Sequence, residues 1–160
     1  MSLPKPKEFN HLFVRISFIL LFFILVTSTL FQNQLSEAQE GSISHLLEKG
    51  DSLYNQGKYQ EAITWYDKVI AVDSNHIFAL YNKGTALATL GQYQEAITWF
   101  DKVLAIDPND VDALYNKGLS LYRTSQYQEA MTWFDKALAI DPNDADALYY
   151  KDILVNLIPS

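Results

Sequence analysis

The chain has 160 residues and a formal net charge of −7, with 49% hydrophobic, 14% aromatic and only 19% charged residues. That composition suits one modest folded domain rather than a disordered chain. The acidic balance argues against a nucleic-acid partner, because phosphate-backbone binders need a basic footprint. The absence of cysteine excludes disulfides, zinc–thiolate sites and thiol nucleophiles.

Charge is uneven along the chain. Residues 1–15 carry Lys5, Lys7 and Arg15 against Glu8, a net of +2, whereas the rest carries nine basic and eighteen acidic residues, a net of −9. From Ile16 to Ser36 there is no charge, and Ile16 to Val26 is apolar except for Ser17. Two readings fit. One is a cleavable signal peptide, with a basic start, an apolar centre and a small-x-small site at Ser36-Glu37-Ala38. The other is a retained anchor, since Leu12 to Phe31 reaches the ~20 apolar residues that a membrane span needs. Under either, the basic flank keeps the N-terminus in the cytoplasm and predicts export of the acidic body, secreted if cleaved and membrane-tethered if not. Residues 1–38 are therefore assigned to this signal or anchor helix. The polar run 32–42, "QNQLSEAQEGS", lacks periodicity and reads as a linker, with 39–42 between the targeting segment and the body.

The body repeats itself. "DPNDVDALYNKG" at Asp107 returns as "DPNDADALYYKD" at Asp141 and is preceded by "DSNHIFALYNKG" at Asp73, each 34 residues apart. "YQEAITWYDKVIAVD" from Tyr59 recurs from Tyr93 and Tyr127. Residues 77–110 and 111–144 share 24 of 34 positions, which marks a repeat architecture. Each unit reads as two helices. In the second unit they run from about Ala79 to Leu90 and from Tyr93 to Ile106. Gly91 ends the first. Ala96, Ile97, Phe100, Val103 and Leu104 make one apolar face on the second. Pro108 cannot continue a helix, and the polar residues around it suit the cap of the next. No helix pair can bury its face alone, so units 43–76, 77–110 and 111–144 must stack. Residues 145–160 supply a terminal helix that caps the third. Some of its Ile153, Leu154, Leu157 and Ile158 should pack on the third unit, and the surplus is available to a partner or to self-association.

The repeats resemble the tetratricopeptide repeat family. The resemblance rests on Gly84, Leu87, Ala96, Phe100, Val103 and Pro108 in the second unit. In the third it rests on Gly118, Leu121, Ala130, Phe134, Ala137 and Pro142, and in the first on Gly50, Leu53, Ala62, Tyr66 and Val69. Ser74 replaces the usual proline, leucine stands at the early tryptophan position (Leu46, Leu80, Leu114), and Ser125 replaces a loop glycine. The resemblance implies an all-α fold: a right-handed α-solenoid of three helix-turn-helix units plus a capping helix, behind the N-terminal hydrophobic segment. It also implies a non-enzymatic module that binds a protein or peptide in a groove lined by the first helices. The positions that would face this groove are Tyr81, Asn82, Tyr115, Asn116, Tyr122, Arg123, Tyr149 and Tyr150, with Asp51, Tyr54 and Thr85 nearby. Some members clamp a peptide carboxylate with groove lysines. Here tyrosines stand at that place, flanked by Asp112 and Asp146, so a segment with aromatic or basic side chains fits better.

No metal, cofactor or catalytic constellation is expected. Asp107, Asn109, Asp110 and Asp112 look like calcium ligands in isolation, but Asp112 and Gly118 stand where such a loop needs glycine and glutamate. Their capping role explains them better. His11, His45 and His76 have no carboxylates at ligand spacing, and no phosphate loop or nucleophile elbow is present. The recurrent Thr98, Asp101 and Lys102 read as a solvated helix face. Trp65, Trp99 and Trp133 recur once per unit, either wedged between repeats or forming an exposed ladder for a glycan. An envelope-assembly role through the C-terminal helix is the remaining alternative.

Overall fold

The computed structural model describes the backbone of residues 6–158 and the side chains of residues 21–32 and 41–158. Seven helices occur among the described residues, with no strand: α1 (Pro6–Asn55), α2 (Tyr59–Val72), α3 (Ile77–Thr89), α4 (Tyr93–Ile106), α5 (Val111–Arg123), α6 (Tyr127–Ile140) and α7 (Ala145–Leu157). The chain divides into two compact units, residues 1–42 and 43–160. In the first unit, the described side chains of 21–32 are exposed all round the helix. Among the described residues no helix is long and apolar enough to cross a membrane. Much of the 1–38 signal or anchor assignment lies outside the described side chains. The stretch 32–42, expected as a linker, has helical backbone within α1. Its glutamine, glutamate, alanine and leucine are good helix formers, and no proline interrupts them.

In the second unit each helix from α2 to α7 packs on its neighbours in sequence, and α3 also touches α5. That is the stacking of a solenoid. The turns have a common build. Gly57 and Gly91 take φ of +76° and +77°, the left-handed conformation that glycine adopts without steric cost. Ser125 takes φ +63° at the equivalent place and carries that cost. Between units, Asp73, Asp107 and Asp141 accept the backbone N–H of Asn75, Asn109 and Asn143 at 3.0 Å. His76, Asp110 and Asp144 then cap α3, α5 and α7 by accepting from Ala79, Ala113 and Ala147. The cap at His76 lets α3 begin at Ile77, two residues before its sequence-based start. Asp107 and Asp110, two of the acids that resemble calcium ligands, are a turn acceptor and a cap acceptor.

Packing within each pair turns on one contact. An atom added as Cβ at Gly50, Gly84 or Gly118 would sit 2.5, 2.8 or 2.9 Å from the ring of Tyr66, Phe100 or Phe134. Those three rings are the largest fully buried side chains. Hydrogen in place of a side chain is what allows the two helices to approach. Gly84→Ala should therefore cost about 1–2 kcal/mol, with overpacking outweighing alanine's better helix propensity. Gly41→Ala, whose added Cβ would meet nothing within 4 Å, should be neutral or slightly stabilising. Urea unfolding followed by circular dichroism separates the two.

Candidate partner-binding face

The first helices of the pairs present tyrosine, asparagine and aspartate along one face. At its N-terminal part, Asp51, Tyr54, Asn55, Tyr66, Asn82 and Thr85 line a depression of about 260 Å³. Asp51 is its centre: its Oδ1 accepts from Tyr66 Oη at 3.0 Å and from Asn82 Nδ2 at 2.9 Å. One unit further, Asn116 Nδ2 donates to Tyr81 Oη at 3.0 Å and to the Asp112 carbonyl at 2.8 Å. The structure thus brings Asn82 and Asn116 beside the preceding unit. Their amide nitrogens bond within the chain and serve the stacking.

The remaining sequence-predicted residues divide. Tyr115, Tyr122 and Tyr150 cluster, with ring centroids of Tyr150 6.3 Å from Tyr115 and 5.2 Å from Tyr122. Tyr150 also stacks on Phe134 at 5.7 Å, so it is largely a core ring of the cap. Tyr149 is 61% exposed and meets Tyr150 edge-on at 5.3 Å. Arg123 is exposed in the last turn of α5.

Electrostatics mark this face as acidic. Burial pushes the Tyr115 hydroxyl up to about 12, helped by the Asp146 carboxylate. Burial, then Asp112, raises Tyr81. Burial and the hydrogen bond to Asp51 raise Tyr66. Each hydroxyl thus sits in the negative field of a carboxylate, which disfavours the phenolate.

The junctions between units hold what sequence reasoning missed. Lys83 Nζ pairs with Asp67 of the preceding unit and lies 3.9 Å from the Trp99 ring centre, and Lys102 approaches the same ring at 3.5 Å. Lys117 repeats this with Asp101 and Trp133, joined by Lys136. Lys68 lies over Trp65 at 3.5 Å. The side chains of Lys83 and Lys117 are only 9% and 8% exposed. The aspartates read as a solvated face are about half exposed, at 47% and 49%, and also pair with lysines of the next unit. The tryptophans are half-buried and pack against the core clusters. Their recurrence was visible in the sequence; a lysine 16 residues after each aspartate was the overlooked signal.

Stacked helix pairs at a 34-residue period, a glycine under each ring and a tyrosine-lined face of first helices define a helical repeat protein. The chain belongs to the tetratricopeptide repeat family. The family model described as tetratricopeptide repeat matches residues 47–111, and one described as anaphase-promoting complex, cyclosome, subunit 3 matches 90–152. Among solved structures, the first such domain of Spaghetti (RPAP3) bound to the HSP90 peptide SRMEEVD is 24% identical. That match covers 74% of this chain and 94% of the other, with a TM-score of 0.71. The second such domain of human RPAP3, in complex with an HSP70 peptide, is 20% identical over 73% and 98%, with a TM-score of 0.69. MamA from Desulfovibrio magneticus RS-1 is 30% identical over 72% of this chain and 65% of its own, with a TM-score of 0.69. A comparison with curated proteins gives no significant match.

Two outcomes follow. Asp101→Asn strands the buried Lys117 charge and should cost about 1–2 kcal/mol. Asp135→Asn, whose partner Lys151 is 41% exposed, should cost under about 1 kcal/mol in thermal unfolding. Second, the raised tyrosines keep their protons in the folded state after the unfolded chain has lost them. For Tyr115 the stabilisation is full below the ordinary tyrosine value and is lost as pH rises from there through about 12. Urea midpoints should fall over that range, less steeply in Tyr115→Phe.

Proposed function

We propose that this chain is a protein-interaction module that holds a partner segment with basic and aromatic side chains along the face of its first helices. The observation that carries the reading is the set of carboxylates, Asp51, Asp112 and Asp146, placed beside tyrosines that burial raises first and these carboxylates raise further. Tyrosine offers broad amphipathic contact, and a preformed helical face needs little ordering to bind. Peptide complexes of the RPAP3 domains support peptide recognition on this fold. Both of those peptides end in an acidic EEVD tail, and an acidic tyrosine face repels such a tail, so the preference here is reversed in sign. The mechanism is recognition rather than catalysis.

The N-terminal segment fits export to the extracytoplasmic side, either secreted or tethered. Its support is the uncharged run Ile16–Ser36 behind basic residues. The exposure of Phe22, Phe23, Ile24 and Phe31 on α1 also supports it, because such a surface needs an apolar environment. A glycan ladder is less favoured, because lysine ammonium groups already lie over the tryptophan faces.

Asp112→Lys with Asp146→Lys should weaken binding to an array of basic-aromatic peptides by tenfold or more, about 1.4 kcal/mol, with helicity intact. Unchanged binding would reject the acidic face as the site.

A further inference from the structure

The outer face of α7 repeats, position by position, the surface on which α3 and α5 receive their second helices. Leu148, Asp152 and Val155 stand 34 residues after Leu114, Gly118 and Leu121, and those stand 34 after Leu80, Gly84 and Leu87. The four earlier leucines are buried, and the glycines lie under the rings of Phe100 and Phe134. In α7, Leu148 and Val155 are 47% and 60% exposed, and Asp152 is exposed between them.

Three observations decide what this face accepts. A Cβ at the glycine place would meet the docking aromatic ring at 2.8–2.9 Å. The side chain of Asp152 therefore excludes a helix built like α4 or α6 in the same pose. A two-fold pairing of α7 with a second copy, centred here, would set two Asp152 carboxylates against each other among apolar side chains, a costly arrangement. The turn that returns α2, α4 and α6 uses a positive φ at Gly57, Gly91 and Ser125. The next place in that series is Pro159, a residue type whose ring fixes φ near −65° and cannot make this turn.

We propose that the outer face of α7 docks an amphipathic helix of a partner protein that carries an arginine or lysine in the middle of its apolar stripe. The basic residue meets Asp152 where an intramolecular helix would place its aromatic ring, and flanking apolar side chains cover Leu148 and Val155. The partner helix completes a fourth pair in trans, on a different element from the tyrosine face.

The test uses the full chain and two labelled peptides, the sequence of residues 93–106 and the same peptide with Phe100→Arg, read by fluorescence anisotropy. The arginine peptide should bind about tenfold tighter than its parent. Asp152→Gly should reverse that preference. Asp152→Lys, which keeps helix propensity, should lose the arginine peptide, and Val155→Lys should weaken both. Equal binding whatever stands at position 152, or no binding of the arginine peptide, overturns the proposal. So does a concentration-dependent dimer that Val155→Lys dissolves, which would assign the face to a second copy.

Discussion

The fold depends on an aromatic ring lying directly on a helix backbone. At Gly50, Gly84 and Gly118 the first helix offers no side chain, and Tyr66, Phe100 or Phe134 of the second helix fills the space. Close-packed interiors transmit even small changes in volume, so this contact sets the distance between the two helices of each pair. Ala62, Ala96 and Ala130, all fully buried, keep the second helix equally close. Tight pairs leave their outer residues in register with the next pair, and every contact between units inherits that spacing.

Between pairs, the joining element is ionic and aromatic together. An aspartate on one second helix, a lysine on the next first helix and a tryptophan on the next second helix form a chain across three consecutive helices. Burying an ammonium group is unfavourable unless a counter-charge and a π face both receive it. Here both do, and the same three residues recur one unit later. In a solenoid, stability is a sum of units and nearest-neighbour interfaces. This element therefore grades along the stack. Lys151 pairs with Asp135 at 2.6 Å but stays 41% exposed, and Lys49, at the equivalent place in α1, is exposed. The interior junctions are the strong ones, and the last junction is the weaker.

The helix pairs and their joints were legible from the sequence because a fixed period lets three copies vote on each position. The 93–106 helix was placed to the residue, since glycine-glutamine before it and aspartate-proline after it act locally. The lysine–tryptophan–aspartate contacts were not legible, because each member sits in a different helix and each alone resembles an ordinary surface residue. The same reason hid the internal use of Asn82 and Asn116: an amide that bonds a neighbouring unit and one that awaits a ligand look identical in sequence. Tyr150 was read as a groove residue from its register, but in the last helix that place turns onto Phe134. Only the stack, which gives α7 no successor among the described helices, makes that difference.

The acidity of the tyrosine face follows from the same ionic element. After Arg15 the chain has nine basic residues. Five of them, Lys68, Lys83, Lys102, Lys117 and Lys136, lie over tryptophan rings, and Lys151 is paired with Asp135. Only Lys49, Lys58 and Arg123 stand outside that arrangement, so little positive charge is left to offset Asp51, Asp112 and Asp146. Stacking and the acidity of the tyrosine face are then two consequences of one distribution of charge. The lysines that join the units are the cations withheld from the tyrosine side, and the negative field there arises without any residue added for binding. A field of this kind is screened over about 8 Å at physiological salt. It therefore acts on charges brought into contact with the face rather than at long range.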